Sequence, residues 1–384
     1  MDFRDPPEHR DLRTAVSAVT RSFGDGYFTE HAERRAPTDE LWQALGKQGF
    51  IGINLPPDYG GGGAGLTELA IVVEQTAAEG CPLLLLLVSS AICGEMLARY
   101  GSARQRERWL APLADGSIKM AFAITEPDAG SNSHRLATTA RRDGDEWLLS
   151  GTKYYISGAD EAAAILVVAR TGTEPDTGRG RLSLFLVPAD APGLTRQPLP
   201  VAATMPERQF TLYFSDVRLG PDNLLGTEHD GFTQVFHGLN PERITGAALC
   251  VGIGRYALAK AARYARERTV WDAPIGTHQG VAHPLAKAQI ELEAAALLTA
   301  KAAWQHDHGE PAGEASNMAK YAAAEAALAA VDAAIQTHGG NGMSSEYGLI
   351  PLWGIARLLR IAPVNREMIL NYVAQHSLGL PRSY

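Results

Sequence analysis

Apolar residues along this chain recur with three different rhythms, and each rhythm predicts a different kind of element. From about residue 8 to residue 116 the spacing is helical. Leu66, Leu69, Ala70, Val73 and Ala77 stand at i, i+3, i+4, i+7 and i+11, one stripe of a helix that Gly80 and Pro82 bring to an end. Upstream, Leu41, Trp42 and Leu45 open another helix, for which Thr38 or Asp39 offers the N-cap. The run PLLLLLV at 82–88 predicts a buried helix, since it is far shorter than the roughly 20 residues needed to cross a bilayer. Between these elements lies PPDYGGGGAG. No strand precedes it and no Gly-Lys-Ser/Thr follows, so it predicts a tight structural turn rather than a phosphate loop.

The rhythm changes near residue 118. LATTARRDGDEWLLSG holds two strand-like runs about an Asp143-Gly144 turn, AAILVVAR and LSLFLVP are short and rich in branched residues, and RQFTLYFSDVRL alternates as a half-buried strand does. TGTEPDTGRGR reads as an exposed loop between them. After PDNLLG the helical period returns. Phe232, Val235, Phe236 and Leu239 keep that spacing, so a helix starts near Asp230-Gly231 and carries Pro241 inside it. Ile244, Ala248, Val251, Arg255, Leu258, Ala262 and Ala265 then step by fours and threes, the seam of a helical bundle. Gly246, Gly252 and Gly254 weaken a lone helix and make sense where another backbone or a ligand comes close. Two alanine-rich helices follow, one beginning at Pro284 as a first-turn residue and one ending at Gly339-Gly340. The expected fold is mainly α with a central β-domain: an N-terminal helical domain (1–117), a middle β-domain (118–226) and a C-terminal helical bundle (227–384).

Composition narrows the functions such a fold can serve. With 384 residues the chain exceeds what a single core supports, and 45% hydrophobic content weighs against disorder. A net charge of −8 removes the basic footprint of a nucleic-acid binder. Cys81, Cys93 and Cys250 are odd in number and lack CxxC spacing, so neither a disulfide framework nor a zinc site is indicated and a reducing, cytoplasmic setting is expected. The opening MDFRDPPEHRD has no apolar segment of the kind a signal peptide carries. The histidines, His278, His283 and His338 among them, have no metal-ligand spacing, so no metal is expected.

Two segments offer chemistry. AFAITEPDAGSNS at 121–133 presents backbone N–H groups, the Thr125 and Ser131 hydroxyls, and small residues that admit a flat ring or a phosphate. GTKYYISGA at 151–159 is a strand that puts Tyr155 and Ser157 on one face. Singly, the second reads better as a core tyrosine followed by a turn serine.

Taken in order, GFIGINLPPDYGGGG, AITEPDAGS, GTKYYISGA, DVRLGPDNLLG, ERITGAALCVG, RERTVWDAPIGTHQ and QTHGGNG resemble the acyl-CoA dehydrogenase family of flavoenzymes over nearly the whole chain. The resemblance implies an N-terminal helical domain, a middle β-barrel, a C-terminal four-helix bundle and FAD as cofactor. It implies that Ile124 and Thr125 serve the pyrimidine edge of the flavin, that Tyr155 replaces the family's usual tryptophan against the ring, and that Ser157 meets N5, with Phe122 and Ile156 beside them. Ser131 would reach the pyrophosphate region and the thioester. Arg268, Trp271, Gln279, Gln336, Gly339 and Gly340 would hold FAD from a neighbouring subunit, which requires a homodimer or homotetramer. Three positions depart from the family pattern: Asn132 for an aspartate, Asp272 for the glycine after the aromatic, and Val270 for a hydroxyl residue.

The implied reaction takes the α-proton of an acyl thioester onto a carboxylate while hydride leaves the β-carbon for flavin N5. Most relatives carry that glutamate late in the bundle, where this chain has Pro363. A minority carry it earlier, immediately before an arginine, and that position is Glu242, ahead of Arg243. The residues themselves say something similar. A proline inside a helix costs about 3 kcal/mol, so LNPERI wants a reason for its kink. An adjacent arginine favours the ionised carboxyl, while an apolar slot opposes it. The plain alternative is that Glu242 opens a fresh helix after Asn240-Pro241, where acidic residues are favourable. Glu367 is a weaker candidate base. Ser131, Asn240 and Arg243 are expected on the substrate side, the substrate being an acyl-CoA or a carrier-bound acyl thioester. The expected electron acceptor is an electron-transfer flavoprotein. Two other readings share the resemblance: a flavin monooxygenase, which needs no carboxylate base, and a non-catalytic partner subunit of a heteromeric dehydrogenase.

Overall fold

A computed structural model describes residues 5–382; the first four residues of the segment weighed above as a leader lie outside them. The N-terminal region contains α1 (Pro7–Arg21), α2 (Tyr27–Arg34), α3 (Asp39–Lys47) and α4 (Leu66–Ala78), then a π-helical stretch Leu86–Gly94 that continues into α5 (Glu95–Tyr100), and the short α6 (Ala103–Gln105) and α7 (Ala111–Ala114). The predicted α4 stripe is entirely buried. Thr38 does precede α3, but its side chain makes no capping bond. The cap of α4 comes from far away. Gly65 has no side-chain oxygen, and the Asp307 carboxylate instead accepts from Leu66 N at 2.7 Å and Thr67 N at 2.9 Å, satisfying donors that a helix start leaves open. The glycine-rich segment is a packed turn: a Cβ at Gly61 would lie 2.2 Å from the Leu55 carbonyl oxygen.

The middle region is a mostly antiparallel eight-stranded sheet made of β1 (Met120–Ala123), β2 (Thr139–Asp143), β3 (Glu146–Ser157), β4 (Ala164–Thr173), β5 (Gly180–Pro188), β6 (Leu194–Pro198), β7 (Gln209–Leu219) and β8 (Leu224–Leu225). Its order is β6-β7-β3-β2-β4-β5-β8, with β1 parallel to β4. β4 is buried on both faces. Ile165, Val167 and Ala169 join the core inside the sheet domain, while Ala164, Leu166 and Val168 join the core shared with the helices. The β2–β3 turn sits one residue later than predicted. Asp143 pairs with Glu146, and Gly144, at φ 63, supplies the left-handed residue of the turn.

The C-terminal region holds α8 (Gly231–Glu267), a small hairpin of β9 (Thr269–Val270) and β10 (Ala273–Pro274), then α9 (Gln279–Asp307), α10 (Gly313–His338), α11 (Leu349–Leu359) and α12 (Arg366–His376). Pro241 lies inside α8, as the spacing predicts. Pro284 does not open its helix. α9 starts at Gln279, with His278 accepting the first helical bonds from Val281 and Ala282, so the proline stands in the second turn, facing the carbonyl of Gly280. Two of the three α8 glycines mark close helix packing rather than a ligand: a Cβ at Gly252 would lie 2.2 Å from the backbone oxygen of Glu74, and one at Gly254 would lie 2.5 Å from the Leu292 side chain. Among the described residues, no helix is long and apolar enough to cross a membrane.

Candidate active site

The loop after β1 is fastened to β3 by a buried ion pair. Lys153, with no exposed surface, donates through Nζ to the Ile124 carbonyl at 2.9 Å and to Glu126 Oε1 at 2.8 Å. The Glu126 carboxylate also accepts from Ala137 N at 2.6 Å and Thr138 N at 3.0 Å. Burial lowers the Lys153 ammonium to about 8 against the pull of Glu126. The main chain joins as well, Tyr154 N donating to Thr125 O at 2.9 Å. Ile124 and Thr125 are thus held rigid at the mouth of the sheet, half-buried. Neither Lys153 nor Glu126 stood out in the sequence, where an ion pair 27 residues apart leaves no periodic mark.

Beyond Lys153 the ladder to β7 slips by one residue, and this bulge puts Tyr155 at φ 58 with 54% of its surface exposed. Ile156 turns inward to the sheet core, leaving its main chain as the only part that can face a ligand. Ser157 lies on the opposite side from Ile156, opposite Gln209 in the register. Its hydroxyl oxygen accepts from Gln209 Nε2 at 2.9 Å. The same hydroxyl lies 3.1 Å from Gln209 Oε1, to which it donates, so the Gln209 amide holds Ser157 from both sides. Phe122 is half-buried against the helical core, and Ser131 is exposed. The Ser131 hydroxyl accepts from Asn365 Nδ2 at 2.9 Å, a direct tie from the β-domain loop to the turn before α12.

Glu242 lies on α8. Gly238, one turn before it, faces Met96 and Ile92, and Gly246, one turn after, faces Leu87 at 3.6 Å and Pro363 at 3.9 Å. The carboxyl group therefore sits where the Leu86–Gly94 stretch, the bundle and the turn around Pro363 converge. Cys93 in that stretch feels its charge and bonds to Ala121 O of β1. Burial pushes the Glu242 carboxyl up to about 7, while Arg243 and Lys320 pull it down. Arg243 donates through Nη1 to Asn240 Oδ1 at 2.8 Å, and its Nε is buried without an acceptor. Thr245 Oγ1 donates to the Pro241 carbonyl at 2.8 Å, bracing the kinked turn. Glu367 is elsewhere: it is exposed on the first turn of α12, beside Arg366 at 3.3 Å, so the weaker candidate base has no enclosed surroundings.

The remaining predicted residues gather at the other end of α8. Arg268 lines a pocket of about 400 Å³ together with Lys260, Arg263, Tyr264, His338 and Asn341, so the arginine segment and the stretch following Gln336 do meet. Gln336, Gly339 and Gly340 are exposed, and a Cβ on either glycine would meet nothing within 4 Å. Trp271 projects from the β9–β10 turn with 86% of its surface bare, and Gln279 is exposed at the start of α9. His338 bonds to Ala334 O at 2.7 Å and stacks on Tyr264, a structural role. Arg268 follows Glu242 by 26 residues of one helix and its cap, about 39 Å at 1.5 Å per residue. The two clusters are therefore not parts of one cleft within a single subunit.

Comparison with known proteins covers the whole chain. Three family profiles match in order: "Acyl-CoA dehydrogenase, N-terminal domain" over residues 6–117, the middle domain over 121–217 and the C-terminal domain over 229–378. The chain is 54% identical over 384 residues to acyl-CoA dehydrogenase FadE12 of Mycobacterium tuberculosis, covering 100% of this chain and 99% of that one. Among solved structures it is similar to butyryl-CoA dehydrogenase from Megasphaera elsdenii, with a TM-score of 0.93, 27% identity and coverage of 99% and 100%. It is also similar to a glutaryl-CoA dehydrogenase from Mycobacterium smegmatis in complex with FADH2, with a TM-score of 0.92, 25% identity and coverage of 99% and 96%.

Proposed function

The chain belongs to the acyl-CoA dehydrogenase family, FAD-dependent oxidoreductases acting on the CH–CH bond of an acyl-CoA, and from that premise we propose that it dehydrogenates its acyl thioester at the α,β-bond with Glu242 as the base. The residues present fit a flavin. Tyr155 and Trp271 are exposed aromatics, Ser157 is held in place by the Gln209 amide, and the Arg268 pocket collects three cationic side chains against one carboxylate, Glu267, a net positive lining suited to a pyrophosphate. Bound FAD supplies the acceptor for the electron pair that leaves with the β-hydrogen.

The observation that carries the reading is the setting of Glu242. Glu242 is half-buried, its carboxyl forms no side-chain hydrogen bond or ion pair among the described residues, and burial pushes it up to about 7. A base must be ionised at working pH yet basic enough to take a proton, and its oxygens must be unoccupied. Glu242 meets each condition, whereas Pro363 carries no ionisable group. Arg243 and Asn240, one turn apart at most and bonded to each other at 2.8 Å, belong to the substrate side in this reading. The 39 Å separation supports a homodimer or homotetramer, because a flavin beside Glu242 cannot extend to Arg268 of its own subunit. Re-oxidation by an electron-transfer flavoprotein and a cytoplasmic location belong to the same reading.

The test is anaerobic titration of the FAD-loaded protein with a panel of acyl-CoA and acyl-carrier thioesters, following bleaching of the flavin, and its repetition with Glu242→Gln. The expected result is retained flavin with reduction slowed at least 10²-fold, roughly the lower end of a general base's contribution. Normal reduction by the variant excludes Glu242 as the base, and a wild-type protein that binds FAD yet is reduced by no thioester excludes the dehydrogenase reading.

A further inference from the structure

α10 carries one cation on its inner face. Lys320 is 1% exposed within NMAKYAAAEAAL, a setting in which an ammonium without partners is costly. Its Nζ donates to the Val364 carbonyl at 2.6 Å. Val364 follows Pro363, which faces Gly246, and Gly246 lies midway along the α8 stripe formed by Glu242, Gly246 and Cys250. The groups that act on the Lys320 ammonium through space are Cys250, Glu242 and Arg243 on α8 and Glu325 on α10. Those that face Glu242 are Arg243, Lys320 and, from the Leu86–Gly94 stretch, Cys93.

Most of these groups have other commitments. Glu325 accepts from Arg360 at 2.6 Å and stands 3.6 Å from Arg366. The Cys250 and Cys93 thiols are pushed up by burial and stay neutral. Arg243 is bonded to Asn240. Glu242 is the anion left for Lys320 to act upon, and the two do not form a direct ion pair. A cation at that remove favours the ionised carboxyl through space without occupying its oxygens.

We propose that Lys320 is a positioning residue for α-proton abstraction: hung on the Val364 carbonyl, its buried ammonium holds Glu242 ionised at working pH while leaving both carboxylate oxygens open to the substrate. The proposal rests on Glu242 being the base.

Lys320→Met keeps the length and packing of the stem and removes the charge. In the FAD-loaded variant, the acid limb of the pH profile for anaerobic flavin reduction is expected to move up by about one pH unit, the size expected of a unit charge several ångströms away at an effective dielectric of ~20. Lys320→Arg should restore it. Difference infrared spectroscopy of the Glu242 carboxyl, with Glu242→Gln to assign the band, should show the same displacement in protein without substrate. A folded, yellow Lys320→Met protein with an unmoved acid limb overturns the proposal. If that variant does not fold, the reciprocal measurement applies: Lys320, which burial lowers to about 8, is titrated by NMR in wild type and in Glu242→Gln. Its midpoint should fall in Glu242→Gln, and an unchanged midpoint overturns the proposal. Normal flavin reduction by Glu242→Gln instead removes the premise, whatever the lysine does.

Discussion

Trp271 and Asp272 both hold left-handed backbone, at φ 50 and φ 62, between the paired residues Val270 and Ala273. Two consecutive positive φ angles in a two-residue hairpin define a type I′ turn, whose usual occupants are Asn-Gly or Asp-Gly. This explains what the sequence presents as a departure: the family's glycine after the aromatic serves a conformation that aspartate reaches at some cost. The turn is also what drives Trp271 outward. Asp272→Gly is expected to stabilise the protein by roughly 1 kcal/mol through relief of the left-handed strain, partly offset by glycine's greater freedom when unfolded. Chemical unfolding of the FAD-loaded protein checks this, and a lower midpoint in the variant would contradict it.

Glu242 makes the reaction pH-dependent on the acid side. In the proposed role Glu242 works only when ionised, and burial pushes its carboxyl up to about 7. Flavin reduction by a fixed thioester should therefore be level above pH 8 and fall about tenfold per unit below pH 6. Stopped-flow reduction between pH 5.5 and 9 measures this directly. A profile flat down to pH 5.5 would mean that the proton goes elsewhere.

Gln209 is expected to matter only through Ser157. Gln209→Leu removes the 2.9 Å bond to the serine hydroxyl from a buried site and leaves Ser157 free to rotate. The loss of one such bond is worth about 1 kcal/mol, so FAD should bind to the apoprotein about fivefold more weakly. Fluorescence titration with FAD reads this out, and unchanged affinity together with an unchanged flavin potential would remove Gln209 from the site.

Arg268 and Glu242 should complement each other between subunits. Arg268→Ala is expected to lose at least tenfold in FAD affinity, since a fixed cation for the pyrophosphate is removed, and Glu242→Gln to lose reduction. Unfolding the two together and refolding them with FAD would produce mixed oligomers in which one site has both groups intact, restoring part of the activity. No recovery in verified mixed oligomers would show that the two groups serve the same subunit's flavin.

Glu207 stores a pH-dependent cost. It is 2% exposed, accepts from Leu84 N at 2.8 Å, and has its second oxygen buried without a partner. Burial, reinforced by Glu161, raises its carboxyl from 4.5 to about 7. The unfolded chain ionises first as pH rises, so this contribution to stability is intact below about 4.5, declines to pH 7, and is level above. Glu207→Gln escapes the decline. Its melting temperature should exceed that of wild type at pH 8, by the equivalent of roughly 2–3 kcal/mol, and the difference should close near pH 4.5.

Much of this architecture is written locally. The α4 stripe from Leu66 to Ala77, the alternation of RQFTLYFSDVRL and the helix running through Pro241 are patterns of period 3.6 or 2, and each element of that kind appears in the fold. Helix starts were less legible. Pro284 reads as a first-turn residue, yet the helix starts five residues earlier, at Gln279, anchored by the His278 carbonyl. The α4 cap is supplied by Asp307, more than two hundred residues away. The site divides along the same line. Motifs and order singled out Thr125, Ser157, Glu242 and Arg268, because residue type at a fixed spacing survives in one dimension. Lys153 under the loop, Gln209 behind Ser157 and Lys320 behind Glu242 carry no such mark. Each acquires its role from a neighbour on another element, and an ammonium or amide becomes influential only once folding has stripped away its water and left a single charge or hydroxyl to face. Periodicity and motif order mark the elements and single out the carboxyl proposed as the base, whereas its surroundings arise only on folding, because burial and charge act through space and not along the chain.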